Sequence, residues 1–238
     1  RANRGVLFYT GEQVNAFVRQ ANRAGLQVAV HAIGDAAVNQ ALAAFDGALK
    51  VHPREDHRHT IIHGCLMDPG QIERAARLGV HLAVQTPFLH WNLEPLSYLE
   101  SLLGARTVNL SPLKSMVDAG LRPGNGSDAP CTVPDPVRGI WAACNHPNPS
   151  ESLTVLDALR MHTLWAARLS FDEKERGTLT EGKRADFTVL DRNPLEIPVA
   201  DLDQIRVQDL YLEGEHYVTP PAGPLDLVVA CLRGRKQP

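Results

Sequence analysis

Between residues 10 and 170, strand-like and helix-like stretches alternate about every 30 residues, a rhythm that restricts the chain to βα units built on a parallel sheet. Thr10 is placed to cap a helix over GEQVNAFVRQANRAG, where Val14, Phe17, Val18 and Ala21 recur at helical spacing and Gly25 ends the pattern. QVAVHAIG (27–34) follows as a β-rich run, and a second helix is expected over Asp35 to Lys50. HTIIHGC (59–65) reads as the next strand. Asp68 caps DPGQIERAARLG, which stops at Gly79, and HLAVQTP (81–87) is a third strand. SPLKSMVDAG (111–120) is expected to be a helix, with Ser111 as its cap and a proline in its first turn. LRPGNGSD (121–128) gives a short fourth strand and turn, in which Gly124 and Gly126 flank Asn125 and serve either a close approach to a site or an ordinary turn. SLTVLDALRMHTLWAARL (152–169) reads as one long amphipathic helix that turns Met161, Leu164 and Trp165 to the core. The strands are near-continuous apolar runs, as a sheet covered on both faces requires.

After residue 176 the texture changes. GTLTEGKRADFTVLD, DLYLEGEHYV and LDLVVACL are short β-like runs with glycine turns and no helix between them. The expected division is therefore 1–176 for the α/β part and 177–238 for a small β module. A chain of 238 residues, 44% of them apolar, can bury a sizeable core. Its net charge of −3 gives no basic face for nucleic acid or an anionic membrane. The run Leu225 to Leu232 is too short to span a bilayer, and RGRK at 233–236 reads as solvated. No charged-then-apolar leader follows Arg1, so a signal peptide is expected to be absent or already removed. Cys65, Cys131, Cys144 and Cys231 show no C-x-x-C spacing, which points to a reducing, cytoplasmic setting.

Three residues stand at the C-terminal ends of expected parallel strands: His31, His63 and Asp128. In an α/β barrel that is the face on which active sites are built. Two imidazoles and a carboxylate are also the usual ligands of a divalent ion that activates water. Each residue alone has an ordinary structural explanation, and it is their recurrence on three strand ends that points to a site. His57 and His59 compete for notice because they share strand parity with His63. At about 3.3 Å per residue, His59 lies about 13 Å below His63, too far to share one ion with it. His57 and His59 are accordingly expected to be structural. Cys65, two residues after His63, is expected to be packed rather than ligating.

The ordered set HAIGDAAVNQAL, RHTIIHGC, QTPFLHW, GNGSDAP with DPVRGI, ALRMHTLWAAR and GTLTEGKRADFTVLDRNPL resembles the amidohydrolase superfamily, in its YtcJ-like (amidohydrolase-3) branch, over about residues 8 to 215. The resemblance implies a (β/α)₈ TIM-like barrel beside a composite β-sandwich. It implies that His31 and His63 are metal ligands ending the fifth and sixth barrel strands. Asp128 would end the eighth, binding metal and moving protons. The family's H-x-H pair on the first strand and its lysine on the fourth have no counterpart here. The chain would thus supply the C-terminal half of the barrel, strands five to eight, and the C-terminal part of the sandwich. Such a half barrel leaves two open strand edges, beside 27–34 and 123–128, so self-association or pairing with a separate N-terminal part is expected.

The function so implied is a metal-dependent hydrolase of non-peptide C–N bonds in a small molecule, such as an amide or formamide, with zinc as the expected ion. The 238-residue chain alone is expected to turn over poorly. His90 and Trp91, in the polar and aromatic stretch 85–98 expected as a loop above the barrel mouth, are the candidates for substrate binding. Two rival readings are a non-catalytic ligand-binding protein on the same scaffold and a deaminase of a nucleobase-like ring. The first is separated by whether the parent gene encodes the H-x-H pair, the second by assays on ring amines against linear amides.

Overall fold

The structure is a computed structural model that describes residues 5–217. Thr10 opens helix α1 (Gly11–Arg23) with a reciprocal cap, its hydroxyl accepting from the Gln13 N–H while Gln13 Oε1 accepts from the Thr10 N–H. Strand β1 (Ala29–Ala32), helix α2 (Asp35–Val51) and strand β2 (Thr60–His63) follow. Asp68 and Gln71 repeat the reciprocal cap at α3 (Pro69–Leu78), and Gly79, at φ +66°, closes that helix in the left-handed conformation glycine favours. Next come β3 (His81–Val84), α4 (Leu96–Leu103), α5 (Leu113–Asp118) and the two-residue β4 (Gly124–Asn125). The remaining helices are α6 (Pro136–Cys144), α7 (Val155–His162) and α8 (Leu164–Leu169). Strands β1 to β4 form one parallel sheet in chain order, His31 opposite Ile62 and Ala83 opposite Gly124. The βα rhythm of the sequence is thus realised, and β1 and β4 are the edge strands.

Alternation along these strands divides the sheet into two faces. Ala32, Ile61, Leu82 and Val84 lie on a buried face, in one core with Leu42 and Phe45 of α2, Ile72 of α3 and Met161 of α7. Truncating a side chain as enclosed as Phe45 or Ile61 to alanine costs about 2–5 kcal/mol. The opposite face carries Ala29 and His31, both exposed, with Ile62 and Ala83 half-buried. The expected cover on both faces is therefore found on one only among the described residues. No helix among them is long and apolar enough to cross a membrane.

Strands β5 (Phe187–Leu190), β6 (Val207–Leu212) and β7 (Glu215–His216) form a small antiparallel sheet where the β-like runs stand. LDLVVACL, with Cys231, and the RGRK run lie outside the described residues. The intervening turn Val199–Gln204 packs on α6, where Trp141 Nε1 and Asn145 Nδ2 donate to the Ala200 and Val199 carbonyls, and Leu202 is fully buried in the main core.

Three local expectations are corrected. Ser111 does not cap α5: its backbone turns left-handed at φ +45°, and it is the Glu151 carboxylate, from 36 residues away, that accepts from the Ser115 N–H and hydroxyl in the first turn. The single helix over 152–169 is broken at Thr163 (φ −126°, ψ −98°) into α7 and α8. Gly177 returns against that break, where a Cβ would lie 2.8 Å from Ala167 Cβ and 3.2 Å from the Thr163 carbonyl oxygen. Lastly, 85–98 is not a plain loop, since a 3₁₀ turn covers Thr86–His90 and α4 begins at Leu96.

Candidate metal centre and its cavity

His31 and His63 end neighbouring parallel strands, but strand alternation alone does not bring them together. Pairing sets His31 beside Ile62, and His63 beside Ala32 on the buried face. The backbone of His63 leaves the alternation at φ +77°, a left-handed value rare for a side chain of this size. That departure lets the two rings meet edge to face, with centroids 4.4 Å apart and His63 Nε2 at 3.0 Å from His31 Nδ1. His63 is buried and His31 exposed. Burial, reinforced by His31, lowers the His63 pKa against opposing contributions from Asp128 and from hydrogen bonding by Gln85. His63 Nδ1 and Gln85 Oε1 are both buried without a hydrogen-bond partner of full geometry, and both residues line the same small pocket beneath the pair.

Asp128 follows β4 at the same end of the sheet, is exposed, and also has a left-handed backbone, at φ +56°. His31, His63 and Asp128 all line one cavity of about 610 Å³. Among the described residues no group of three His, Cys, Asp or Glu side chains is arranged to hold a metal ion. The structure brings the two histidines together and sets Asp128 in their cavity, without gathering all three around one point.

The donor set nevertheless suits a divalent ion. Two ligands held at about 2.0–2.1 Å in tetrahedral geometry sit about 3.3 Å apart, close to the separation of the facing imidazole nitrogens. The unpartnered His63 Nδ1 also stands where a ligating histidine carries the N–H that fixes its tautomer, with the Gln85 oxygen beside it as acceptor.

The two residues expected to bind substrate part company. Trp91 lines the cavity, its ring centroid 5.1 Å from that of Phe88. His90 is turned away: its Nε2 bonds the Asn145 carbonyl at 2.8 Å and its ring packs on Trp141, so it fastens the 3₁₀ turn to α6. Adjacent residues at the end of such a turn diverge, which the sequence does not reveal. Phe88, Leu99 and Glu94, which also line the cavity, were not singled out by the sequence. The aromatic and leucine content of 86–103 was the available signal. Cys65 lines the cavity with its thiol pushed up to about 12 by burial and by Glu94 and Asp128, so it stays protonated near neutral pH. Gly124 serves helix packing rather than the site, since a Cβ there would overlap Leu169 and lie 3.2 Å from Ala166 Cα, while Gly126 faces open space.

His57 and His59 are structural. His57 Nε2 bonds the Leu78 carbonyl at 2.8 Å and its Nδ1 accepts from the His59 N–H. His59 accepts from the Val28 N–H through Nδ1 and meets Asn22 Oδ1 through Nε2 at 3.0 Å. Behind the strand ends, Asn125 joins Thr86 and His162 in a second network: Asn125 Nδ2 donates to Thr86 Oγ1 at 2.7 Å and lies 2.9 Å from His162 Nε2.

The model of the Amidohydrolase family matches residues 3–218. Bacillus subtilis (strain 168) YtcJ, which carries the amidohydrolase name, is 34% identical over 223 residues, covering 89% of this chain and 41% of that protein. The N-substituted formamide deformylase of Arthrobacter pascens is 30% identical over 217 residues, covering 88% of this chain and 40% of that one. The crystal structure of a metal-dependent hydrolase from Pyrococcus furiosus superposes with a TM-score of 0.69 at 30% identity, over 81% of this chain and 39% of that one. The chain thus spans about two-fifths of the length of each of these relatives.

Proposed function

Because the chain belongs to the amidohydrolase family, in the branch of YtcJ, we propose that the protein carrying it is a metal-dependent hydrolase of non-peptide C–N bonds in small molecules, amides or formamides. The observation that carries this reading is the facing of His63 Nε2 and His31 Nδ1 at 3.0 Å on neighbouring strand ends, in a cavity shared with Asp128. His31 and His63 hold a divalent ion, zinc by preference, together with ligands from outside this chain. An ion held there supplies Lewis acidity, which acidifies a water and polarises a carbonyl. Asp128 takes the proton of the attacking water on a carboxylate oxygen and passes it to the leaving nitrogen, so that the C–N bond breaks as a C–O bond forms. Trp91 and Phe88 give the cavity an aromatic wall.

The same reading makes residues 1–176 the C-terminal half of a (β/α)₈ barrel and 177–238 part of a β-sandwich. The edge positions of β1 and β4 and the two-fifths coverage support it. The edges are then covered by a preceding N-terminal half or by association of chains. The unpaired Cys65, Cys131 and Cys144 suit a reducing cytoplasm.

The test uses the full-length protein, with metal content by plasma mass spectrometry and turnover of N-formyl and N-acetyl amines. His63→Ala should lose metal. Asp128→Asn should cost about 10²–10⁴-fold in kcat, the usual range for a general acid–base group. Chelator-insensitive turnover, or turnover untouched by Asp128→Asn, would overturn the mechanism, and a metal-free protein that binds small amides without cleaving them would leave a non-catalytic ligand-binding role.

A further inference from the structure

The cavity beside the histidine pair has a charge and polarity of its own. The segment 86–110 crosses it and contributes Phe88, Trp91, Leu96, Leu99 and Leu103, while Leu66 and Leu110 close the far side. The charged side chains lining it are Glu94, Glu100 and Asp128, all acidic, and no lysine or arginine lines it among the described residues. His146, also in the wall, offers no compensating cation: Nδ1 accepts from the Asn148 N–H and Nε2 bonds the Ser111 carbonyl at 3.0 Å, the bonding of a neutral ring, and burial lowers its pKa. Arg106, close by in sequence, is paired with Asp35 at 3.2 Å.

Resting on the hydrolase reading, we propose that this cavity selects uncharged amides or formamides bearing an aryl or branched-alkyl group, and excludes substrates carrying a carboxylate. A carboxylate entering beside the 86–103 wall gives up hydration, finds no lysine or arginine there among the described residues, and meets Glu94 and Glu100. An apolar substituent instead exchanges water for aromatic and leucine side chains. The volume of about 610 Å³ lies within the range of small-molecule sites. The acidic wall also suits the product, since an alkylamine freed by the reaction takes up a proton and leaves as a cation.

Three probes separate the two contributions: N-(2-phenylethyl)acetamide, N-acetylphenylalanine, which adds only a carboxylate, and N-methylacetamide, which lacks the ring. Full-length, metal-loaded protein is dialysed to equilibrium with each probe, and both chambers are analysed for intact amide and free amine. Preference is read from Kd where the amide survives and from kcat/KM where it is cleaved. The phenylethyl amide should be preferred at least about tenfold over each of the others, about 1.4 kcal/mol apiece. Trp91→Ala should cost the phenylethyl amide about tenfold, and Glu94→Lys should narrow the gap to N-acetylphenylalanine. Equal or better use of N-acetylphenylalanine, or no gain from the ring, overturns the inference. Preferential binding without cleavage leaves the inference standing and removes the hydrolase reading, whereas cleavage without preference does the reverse.

Discussion

Arg58 is the residue whose removal tests the packing argument most sharply. It stands just before β2, at the end of the sheet opposite His63, with its side chain 5% exposed and its backbone left-handed at φ +47°. All five guanidinium N–H groups are used. Nε and Nη2 donate to Asp56 at 2.8 Å, Nη1 and Nη2 donate to Glu173 at 2.8 and 2.7 Å, and Nη1 also donates to the Arg168 carbonyl at 2.6 Å. The guanidinium lies 3.9 Å from the centroid of Phe171. Together these contacts pin the end of α8 to the start of β2. In Arg58→Met the aliphatic stem remains and the charge goes. Asp56, more than half exposed, can rehydrate, so its pair contributes at most about 1 kcal/mol. Glu173, 19% exposed, retains Arg168 at 3.9 Å as its one ion-pair partner among the described residues, and losing its close pair costs about 2–3 kcal/mol, part of the full penalty for a buried charge. The cation–π contact and the carbonyl bond bring the expected loss to about 3–5 kcal/mol. Urea unfolding reads it as a lowered midpoint at unchanged m. Combined with Glu173→Gln, the cycle should show about 2 kcal/mol of coupling. A loss below about 1 kcal/mol, or additive single variants, would refute the claim that this clamp holds α8 in place.

Gly139→Ala places a Cβ 2.8 Å from His162 Nε2 and 2.9 Å from Asn125 Nδ2, so it should cost about 1–3 kcal/mol and weaken activity by moving the strand end three residues before Asp128; an unchanged melting temperature would count against it. Burial is the first cause holding His59, His81 and His162 near a pKa of about 4. Their folded pKa values lie below the unfolded one, so the stabilisation is complete above about pH 6.5 and is lost as pH falls towards 4, at up to about 1.4 kcal/mol per pH unit for fully buried His59. Denaturation midpoints that stay flat from pH 6.5 to 4.5 would contradict this. Gln85→Leu removes the acceptor beside His63 Nδ1 and should lower zinc affinity about 10–100-fold with little change in fold, measured by competition with a chromogenic chelator; unchanged affinity would show that Gln85 does not orient the ring.

The parts of the fold legible in the sequence are those fixed by local chemistry. Thr10 with Gln13 and Asp68 with Gln71 announce α1 and α3 because a reciprocal cap needs only residues three apart. The strand ends were legible for a similar reason, each short apolar run stopping at a histidine or a glycine turn. Asp135-Pro136 carries a comparable signal for α6, with the Asp135 carboxylate accepting from the Val137 N–H. The rest lies in contacts across the chain. Periodicity runs unbroken through Thr163, and the break comes from Gly177 and from His162 being drawn to Asn125. His90 and Trp91 are equally aromatic in sequence, and only α6 decides which of them faces the cavity. The three candidate ligands were found by position, but the geometry that joins two of them was not, because it depends on a backbone conformation that histidine rarely takes.

Those unusual conformations are not scattered. A left-handed backbone costs a residue with a side chain about 1–2 kcal/mol, so it persists only where surrounding contacts impose it. The non-glycine residues with positive φ among those described are Arg58, His63, Ser111, Asp128, Phe171 and Glu213. Arg58 and Phe171 are the two partners of the cation–π contact in the clamp, and Glu213 sits with Gly214 in the turn between β6 and β7. The other three, His63, Ser111 and Asp128, all line the cavity. At Ser111 the constraint is visible, since its N–H donates to the Cys65 carbonyl at 2.6 Å while its own carbonyl accepts from Leu113 and meets His146. Stability alone would favour glycine at such positions, as at Gly79, where nothing but a turn is required. Retaining an imidazole and a carboxylate at left-handed strand ends costs folding energy and gains nothing in packing at exposed Asp128. The cost is intelligible if those two side chains are needed where the backbone delivers them, facing one cavity.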